Sequence, residues 1–370
     1  MRSNNVLGFI FAATLDDKIP ELASSRTTAS VPIGGKYRII DFDLSNMSNS
    51  GISNVGIVAK SNFQSLMDHV GSGSAYDLSK RRSNLSILPP YDGKAFSSFV
   101  ETIYNMHGYI EHCREEYVLI SQGNVITNID YTDVFDFHSK KKADITLIYK
   151  NHAIPQGYDR PITLDVDNDG KVNQIFVKPG VVDKGVFNHA YGSILIKKDL
   201  LMSEIRNAIS VNQLDVRRLI QSSLGKYSIY AYENKGYCAA ISSINDYFEF
   251  NMDLMKKEVR DELFNPQRPI YTKVRDDAPS RYGLTSNVKN SIIAQGCVIN
   301  GDVENCVISK GVYVGEGAKL SNCIVMQDTK IGCNTNLNYV IIDKDVTIKD
   351  GPSLMGYDSY PIYIAKKSVV

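Results

Sequence analysis

An α/β domain with a mainly parallel sheet, followed by a parallel β-helix, is the architecture that this 370-residue sequence predicts. Three observations predict it. Up to about Leu254, short apolar runs alternate with helix-like segments. The stretch "NPQRPIYTKVRDDAPSRYG" (265–283) is rich in Pro and charge and reads as a linker. Beyond it an aliphatic residue returns about every six positions, often with Gly, Asn or Asp just behind it. The expected division is 1–255 for the α/β domain, 256–285 for the linker and 286–370 for the repeat.

The elements follow in order. "VLGFIFAA", "NVGIVAK", "EYVLISQG" and "DITLIYK" are strand candidates, short, apolar and mostly rich in β-branched residues. "FSSFVETIYNMHGYIEHCREE" is a helix candidate. Strands separated by helices pair in parallel, and ligands then bind beyond the carboxyl ends of the strands, where loops converge. "LPPYDGKAF" reads as a loop, and "DVDNDGKV" (165–172) as a hairpin turn from its Asp-Gly content. The latter lacks the spaced terminal Glu of a calcium loop. In the last quarter "INGDVE", "ISKGVY", "VGEGAK", "LSNCIV", "IGCNTN" and "IDKDVT" each open on an aliphatic residue. Such hexads stack as turns of a parallel β-helix, the aliphatic side chain inward and the small residues at the corners. A two-sheet sandwich has no need of that beat.

Hydrophobic residues make up 43% of the chain and charged residues 22%, the balance of a globular protein with a large core. Lys+Arg and Asp+Glu are both 41, so the formal net charge is zero. That argues against a general nucleic-acid or membrane-surface binder, and neither partner is expected. No apolar run reaches the roughly 18 residues of a spanning helix. In "MRSNNVLGFIFAATLDDK" the apolar run is closed at once by Asp16, Asp17 and Lys18, as in a buried first strand rather than a signal peptide. The six cysteines form no CxxC pair and read as small core residues of a reduced, cytoplasmic protein.

A phosphate-transfer site on such a sheet needs backbone N–H groups around the phosphates, cations to offset charge and carboxylates to hold magnesium. "IGGKYRIIDFDLSNMSNSGI" (33–52) supplies Gly34 and Gly35 for close backbone approach, and Lys36 and Arg38 for charge. Gly-Gly-Lys alone also fits a turn before a strand. The whole string resembles the bacterial ADP-glucose pyrophosphorylase (glucose-1-phosphate adenylyltransferase) family. The likeness runs over nearly the whole chain, through "GNVITNIDY", "IFVKP", "AYGSILI", "SSINDYFEFNMDL" and the terminal repeats. It implies a nucleotide-diphospho-sugar transferase-like, Rossmann-like domain followed by a left-handed β-helix of hexapeptide repeats. It further implies a tetramer that makes ADP-glucose from ATP and glucose 1-phosphate for glycogen synthesis.

The departures from that family concern its chemistry. Where catalytic members carry a Gly-rich GGxGxRL loop around the triphosphate, this chain has Ala13, Thr14, Leu15, Asp16, Asp17, Lys18 and Ile19. Where they carry RAKPA, with a lysine on the reacting phosphates, it has Arg26, Thr27, Thr28, Ala29 and Ser30. The magnesium aspartate of their GDH is Asn124, and a second magnesium carboxylate falls on Ala240. The resemblance therefore leaves no catalytic residue at Thr28, Asn124 or Ala240 and no metal ligand. On the sugar side, Lys178 matches the lysine that holds the phosphate of glucose 1-phosphate, beside Val177 in place of a glutamate. Gly93 and Gly192 match glycines lining the pocket, with Lys94 and Phe96 near the first in place of polar residues. Lys178 also fits an exposed lysine before a proline turn. Lys36 and Arg38 match a region near the family's effector site, where a small anionic effector would bind; packing between subunits is the other reading. Lys80, Arg81 and Arg82 read as a solvated basic face that is also able to hold an anion.

Losing the ion alone removes several kcal/mol of charge stabilisation, and each 1.4 kcal/mol or so is tenfold in rate. The resemblance thus implies the D-type, non-catalytic branch of the family. Such a chain regulates or stimulates a catalytic C-type subunit in a heterotetramer, itself needing no cofactor, with magnesium in the catalytic partner. The alternative is an active nucleotidyltransferase using displaced ligands such as Asp16 or Asp17. An acyltransferase, common among hexapeptide β-helices, would need a histidine base at the helix edge, and all six histidines precede the repeat.

Overall fold

The computed structural model describes residues 5–13, 16–79, 83–89, 98–153, 161–177, 185–274 and 276–370. Val6–Phe11 is buried at every position, as a parallel strand covered on both faces must be. It pairs in parallel with Asn54–Val58 on one side and with Tyr117–Gln122 on the other, and Asn84–Leu88 extends the sheet beyond Asn54–Val58. Beyond Tyr117–Gln122 the direction reverses. The long strand Val186–Lys197 runs antiparallel to it and also pairs with Ile145–Ala153 and Ile162–Val166. Val172–Val177 forms a hairpin with Ile162–Val166 across the expected turn, where Gly170 takes φ +85°. Ile229–Glu233 pairs with Ile145–Ala153 to complete nine strands. The sheet is thus parallel in its centre and antiparallel on one flank.

The predicted long helix is two shorter ones, Phe99–Asn105 and His107–His112, parted at Met106. Just after the third candidate strand comes Val125–Thr127, which forms a small second sheet antiparallel to Cys238–Ala240. Residues 265–274 are tied to the α/β domain. Arg268 donates to the carbonyl of Ile129 at 2.6 Å and pairs with Asp130, and Tyr271 N–H donates to Ser45 Oγ at 2.8 Å.

From Arg281 onward the chain winds a left-handed β-helix of three five-stranded parallel sheets. Inward residues stack in columns: Ile299, Val314, Ile331 and Ile348; Val303, Leu320, Leu337 and Leu354; Ile308, Val325, Ile342 and Ile364. One corner recurs on Asn290, Asn305 and Asn322 at positive φ, the side chain that best tolerates the left-handed region. Outward residues of the third sheet, Val307, Ile324 and Ile341, are buried against Phe42, Tyr247, Phe248 and Leu254 of the α/β domain. Gly34 and Gly35 take φ +55° and +80° in the turn that meets this face. A Cβ on Gly35 would lie 3.3 Å from the Ile308 carbonyl oxygen, so its close approach serves the contact between the two domains.

Candidate functional site

The cleft lies at the carboxyl ends of Val6–Phe11 and Tyr117–Gln122, where a parallel sheet opens its ligand crevice. Three segments converge there. Gly123 N–H donates to the Phe11 carbonyl at 2.9 Å, and Ala29 N–H donates to the Ala12 carbonyl at 3.0 Å. A side chain on Gly123 would meet both Ala29 Cβ and the Phe11 carbonyl at 2.9 Å. Asn124 and the Thr28 turn are thereby brought to the same crevice.

Asn124 and Ala240 sit side by side. Ala240 is opposite Val125 in the small sheet, and Ile241 N–H donates to the Asn124 carbonyl at 2.9 Å. The Asn124 amide returns the bond, Nδ2 donating to the Ile241 carbonyl at 3.2 Å, while its Oδ1 is buried with no hydrogen-bond partner among the described residues. Ala240 contributes a methyl group to a small apolar cluster with Val125 and Tyr191.

Thr28 opens a short 3₁₀ turn, Thr28–Ser30, and both its N–H and its Oγ donate to Asp16 Oδ1 at 2.7 Å. Burial pushes the Asp16 carboxyl above its ordinary range, against the two bonds from Thr28. Asp16 therefore caps the turn through Oδ1, while its Oδ2 is buried without a partner among the described residues. Asp17 is exposed and pairs with Lys60 at 3.2 Å. Gln122 lies across Gly192: a Cβ there would fall 2.1 Å from Gln122 Nε2, and Gly192 has φ +85° in a bulge of its strand. Lys178 and Gly93, like Lys80, Arg81 and Arg82, lie outside the described residues.

A family profile described as Nucleotidyl transferase matches residues 17–257, and one described as GlmU-like, C-terminal hexapeptide matches residues 273–360. Glycogen biosynthesis protein GlgD of Bacillus subtilis (strain 168) is 32% identical over 370 residues, covering 99% of this chain and 97% of that protein. The chain belongs to the glucose-1-phosphate adenylyltransferase and GlgD family. Within the family, the Glycogen biosynthesis protein GlgD of Geobacillus stearothermophilus is 37% identical over 326 residues (85% of this chain, 83% of that one). The Glucose-1-phosphate adenylyltransferase of Clostridium acetobutylicum is 31% identical over 325 residues (85% and 84%).

Magnesium asks for hard, anionic oxygens in near-octahedral array. At the paired positions this family member offers one neutral amide oxygen and a methyl group. Among the described residues no group of three or more His, Cys, Asp or Glu side chains could hold a metal ion. The residues present at these two positions do not fit the ion.

Two groups escaped the sequence reading. Tyr191 Oη lies 2.7 Å from His152 Nε2, which lies 3.2 Å from His189 Nδ1, on neighbouring antiparallel strands beside Ala240. Burial, and then His152 beside it, push His189 down to about 3, so its imidazole is neutral. Their only signal in the sequence was two histidines far apart.

The second group completes the setting of Lys36 and Arg38. Between the domains a cavity of about 150 Å³ is lined by Lys36, Arg38, Lys273, Lys310 and Lys344, with His69 and Asp68 at its wall. Arg38 is braced by the Ser65 carbonyl and Oγ at 2.6 and 2.9 Å, and burial pushes its guanidinium below the usual range. Lys344 is pushed down to about 7 by burial, then by Arg38 and Arg26. His69, held 2.6 Å from Asp41, is also pushed down by burial. Its five cations outnumber the carboxylates near them, Asp68 in the wall and Asp277, which pairs with Lys310 at 3.6 Å. Lys273, Lys310 and Lys344 come from distant segments and could not be found by reading around position 36.

Proposed function

We propose that this chain acts in glycogen biosynthesis as the non-catalytic, D-type subunit of a bacterial glucose-1-phosphate adenylyltransferase. It assembles in the cytoplasm with a catalytic C-type subunit in a heterotetramer, and the magnesium belongs to that partner. The observation that carries the reading is that Asn124 and Ala240, the positions to which the resemblance assigns magnesium carboxylates, lie on neighbouring backbone and carry no charge. Asp16 and Asp17, the acids available to an active enzyme with a displaced metal, meet Thr28 and Lys60, although Asp16 does so through Oδ1 alone and its Oδ2 has no partner among the described residues. What counts against the alternative is that among the described residues no group of three or more His, Cys, Asp or Glu side chains could hold a metal ion.

The regulatory half of the proposal rests on the cationic cavity between the domains. A small anion such as a phosphorylated metabolite fits its size and charge, and it would bridge Lys36 and Arg38 of the α/β domain to Lys310 and Lys344 of the β-helix. Sealing one domain onto the other is a direct way for such an effector to alter a neighbouring subunit. The test is ADP-glucose formation by the chain alone, by the catalytic subunit alone and by the two together. Stimulation in the mixture with no turnover by this chain supports the reading; robust magnesium-dependent turnover by the lone chain overturns it.

A further inference from the structure

The small sheet has Asn124 and Ala240 at one end. Asn128 and Gly236, just past its other end, open onto a solvent-facing trough of about 710 Å³. The helix Tyr131–Lys141, the hairpin turn at 166–170 and the chain from Ala231 to Gly236 line it. Its frame is set by the protein's own bonds. Asp167 Oδ1 accepts from the N–H groups of Asp169 and Lys171 at 2.9 Å, and Ala231 N–H donates to the Gly170 carbonyl at 2.8 Å. Lys150 donates to the carbonyls of Lys235 and Gly236, each at 2.7 Å. Asn234, buried, donates to Thr127 Oγ1 at 2.8 Å and accepts from Gly236 N–H at 3.2 Å. A ligand entering the trough meets backbone that is already ordered, which keeps the entropic cost of binding low.

The lining selects by charge. Four carboxylates, among them Asp167 and Glu233, stand with only three lysines. Asp169 pairs with Lys141 and Asp130 with Arg268, so part of this charge is taken up within the walls. A phosphate would face an excess of carboxylates, the reverse of the cavity between the domains. Among the described residues these acids form no group able to hold a metal ion. An apolar ligand would strip water from the charged groups and give nothing back. What suits the trough is a neutral ligand rich in hydroxyls, each of which both donates and accepts. Tyr149 and Tyr232, both half-buried, border it and supply ring surface with a polar tip. Phe137 meets the Tyr232 ring edge-on at 5.6 Å, and Glu233 is the register partner of Tyr149 on the neighbouring parallel strand. Ring surface beside paired acceptors and donors is what a pyranose presents to match: an apolar C–H face with hydroxyls around its edge.

We propose that this trough binds a neutral glycan chain, its hydroxyls held by Asn168, Glu233 and Lys235 and its sugar rings resting against Tyr149 and Tyr232. The inference does not depend on whether the chain is catalytic. The family's place in glycogen biosynthesis makes an α-1,4-glucan the first probe. Because the ligand carries no charge, added salt leaves its affinity nearly unchanged.

The test is calorimetric titration of the full-length chain with maltoheptaose and with cellohexaose, for wild type and for Asn168→Ala with Glu233→Ala, both exposed positions. Wild-type binding of either oligosaccharide that weakens about tenfold or more in the variant, with an unchanged melting temperature, supports the proposal; a loss of that size matches two hydrogen bonds. No binding at millimolar oligosaccharide, or equal binding by the variant, overturns it. So does an oligosaccharide that inorganic phosphate displaces, since that ligand would sit among the lysines between the domains. If the variant fails to fold, hydrogen exchange on wild type decides: amides 166–170 and 231–236 must gain protection with the oligosaccharide, and unchanged rates overturn the proposal.

Discussion

Arg26 and Asp343, 317 residues apart in the chain, form an ion pair in which Arg26 Nη2 donates to both carboxylate oxygens at 2.7 Å, with both side chains sealed from solvent. The Asp343 carboxylate also accepts from Tyr363 Oη and from Lys344 N–H, each at 2.7 Å, so its lone pairs are well used. The pair ties the segment that carries Thr28 to the β-helix. Removing one partner strands a buried charge, which costs about 3–5 kcal/mol. Asp343→Ala is expected to lower stability by that amount in urea unfolding of the full chain. A loss below about 1 kcal/mol would mean that Arg26 finds another partner and the pair is no anchor.

The cleft makes a second prediction. Asn124→Asp alone places a carboxylate against the Ile241 carbonyl it formerly donated to, an unfavourable contact of about 1–3 kcal/mol without metal. Asn124→Asp with Ala240→Asp is expected to create a divalent-metal site. Calorimetric titration with manganese should show one site in the double variant and none in wild type, and metal should raise the variant's melting temperature. Equal manganese binding by wild type would refute the account of the emptied cleft.

Asp43 sets a pH dependence. It is buried on the helix Ile39–Asn49, accepts from Ser121 Oγ at 2.5 Å through Oδ1, and leaves Oδ2 without a partner among the described residues. Burial pushes it up from 3.8 to about 7. An acid raised on folding lends stability that is full below about pH 4 and is lost as pH climbs through 7. The span corresponds to about 4 kcal/mol. Asp43→Asn should flatten that part of the stability profile, measured by urea unfolding from pH 4 to 8. A slope unchanged in the variant would place its origin elsewhere.

Lys344 links anion binding to protons. With its ammonium favoured only below about pH 7, it is largely neutral at pH 8, and an anion in the cavity draws a proton onto it. Phosphate binding at pH 8 is expected to take up close to one proton, and at pH 5.5 almost none. Titration calorimetry in buffers of different ionisation enthalpy measures this, and Lys344→Met should abolish the uptake. Uptake that persists in the variant would point to His69.

What could be read in the sequence was whatever repeats or is carried by neighbours. The parallel strands announced themselves through apolar runs such as "VLGFIF", buried at every position, and the β-helix through its beat, because each coil obeys the same steric rule. Positions 28, 124 and 240 were marked by the family resemblance alone, and the structure adds that Ala240 pairs with Val125, next to Asn124, whose carbonyl accepts from Ile241 N–H. The break at Met106 was not, since the apolar pattern runs through it. Nor were the His152–His189–Tyr191 chain and the lysines of the interdomain cavity, which only the tertiary fold assembles. Gly35 was read for phosphate approach and serves the Ile308 contact instead, since a glycine reports that space is short without saying what fills it.

On the proposed non-catalytic reading, the Asp16–Thr28 contact bears on what a change at position 28 could gain. A lysine placed at position 28 would find the Asp16 carboxylate already waiting and pair with it, so that single change would be silent. Only after Asp16 had itself been replaced would that lysine have anything to gain. The order of steps is thus constrained, and the path climbs before it descends.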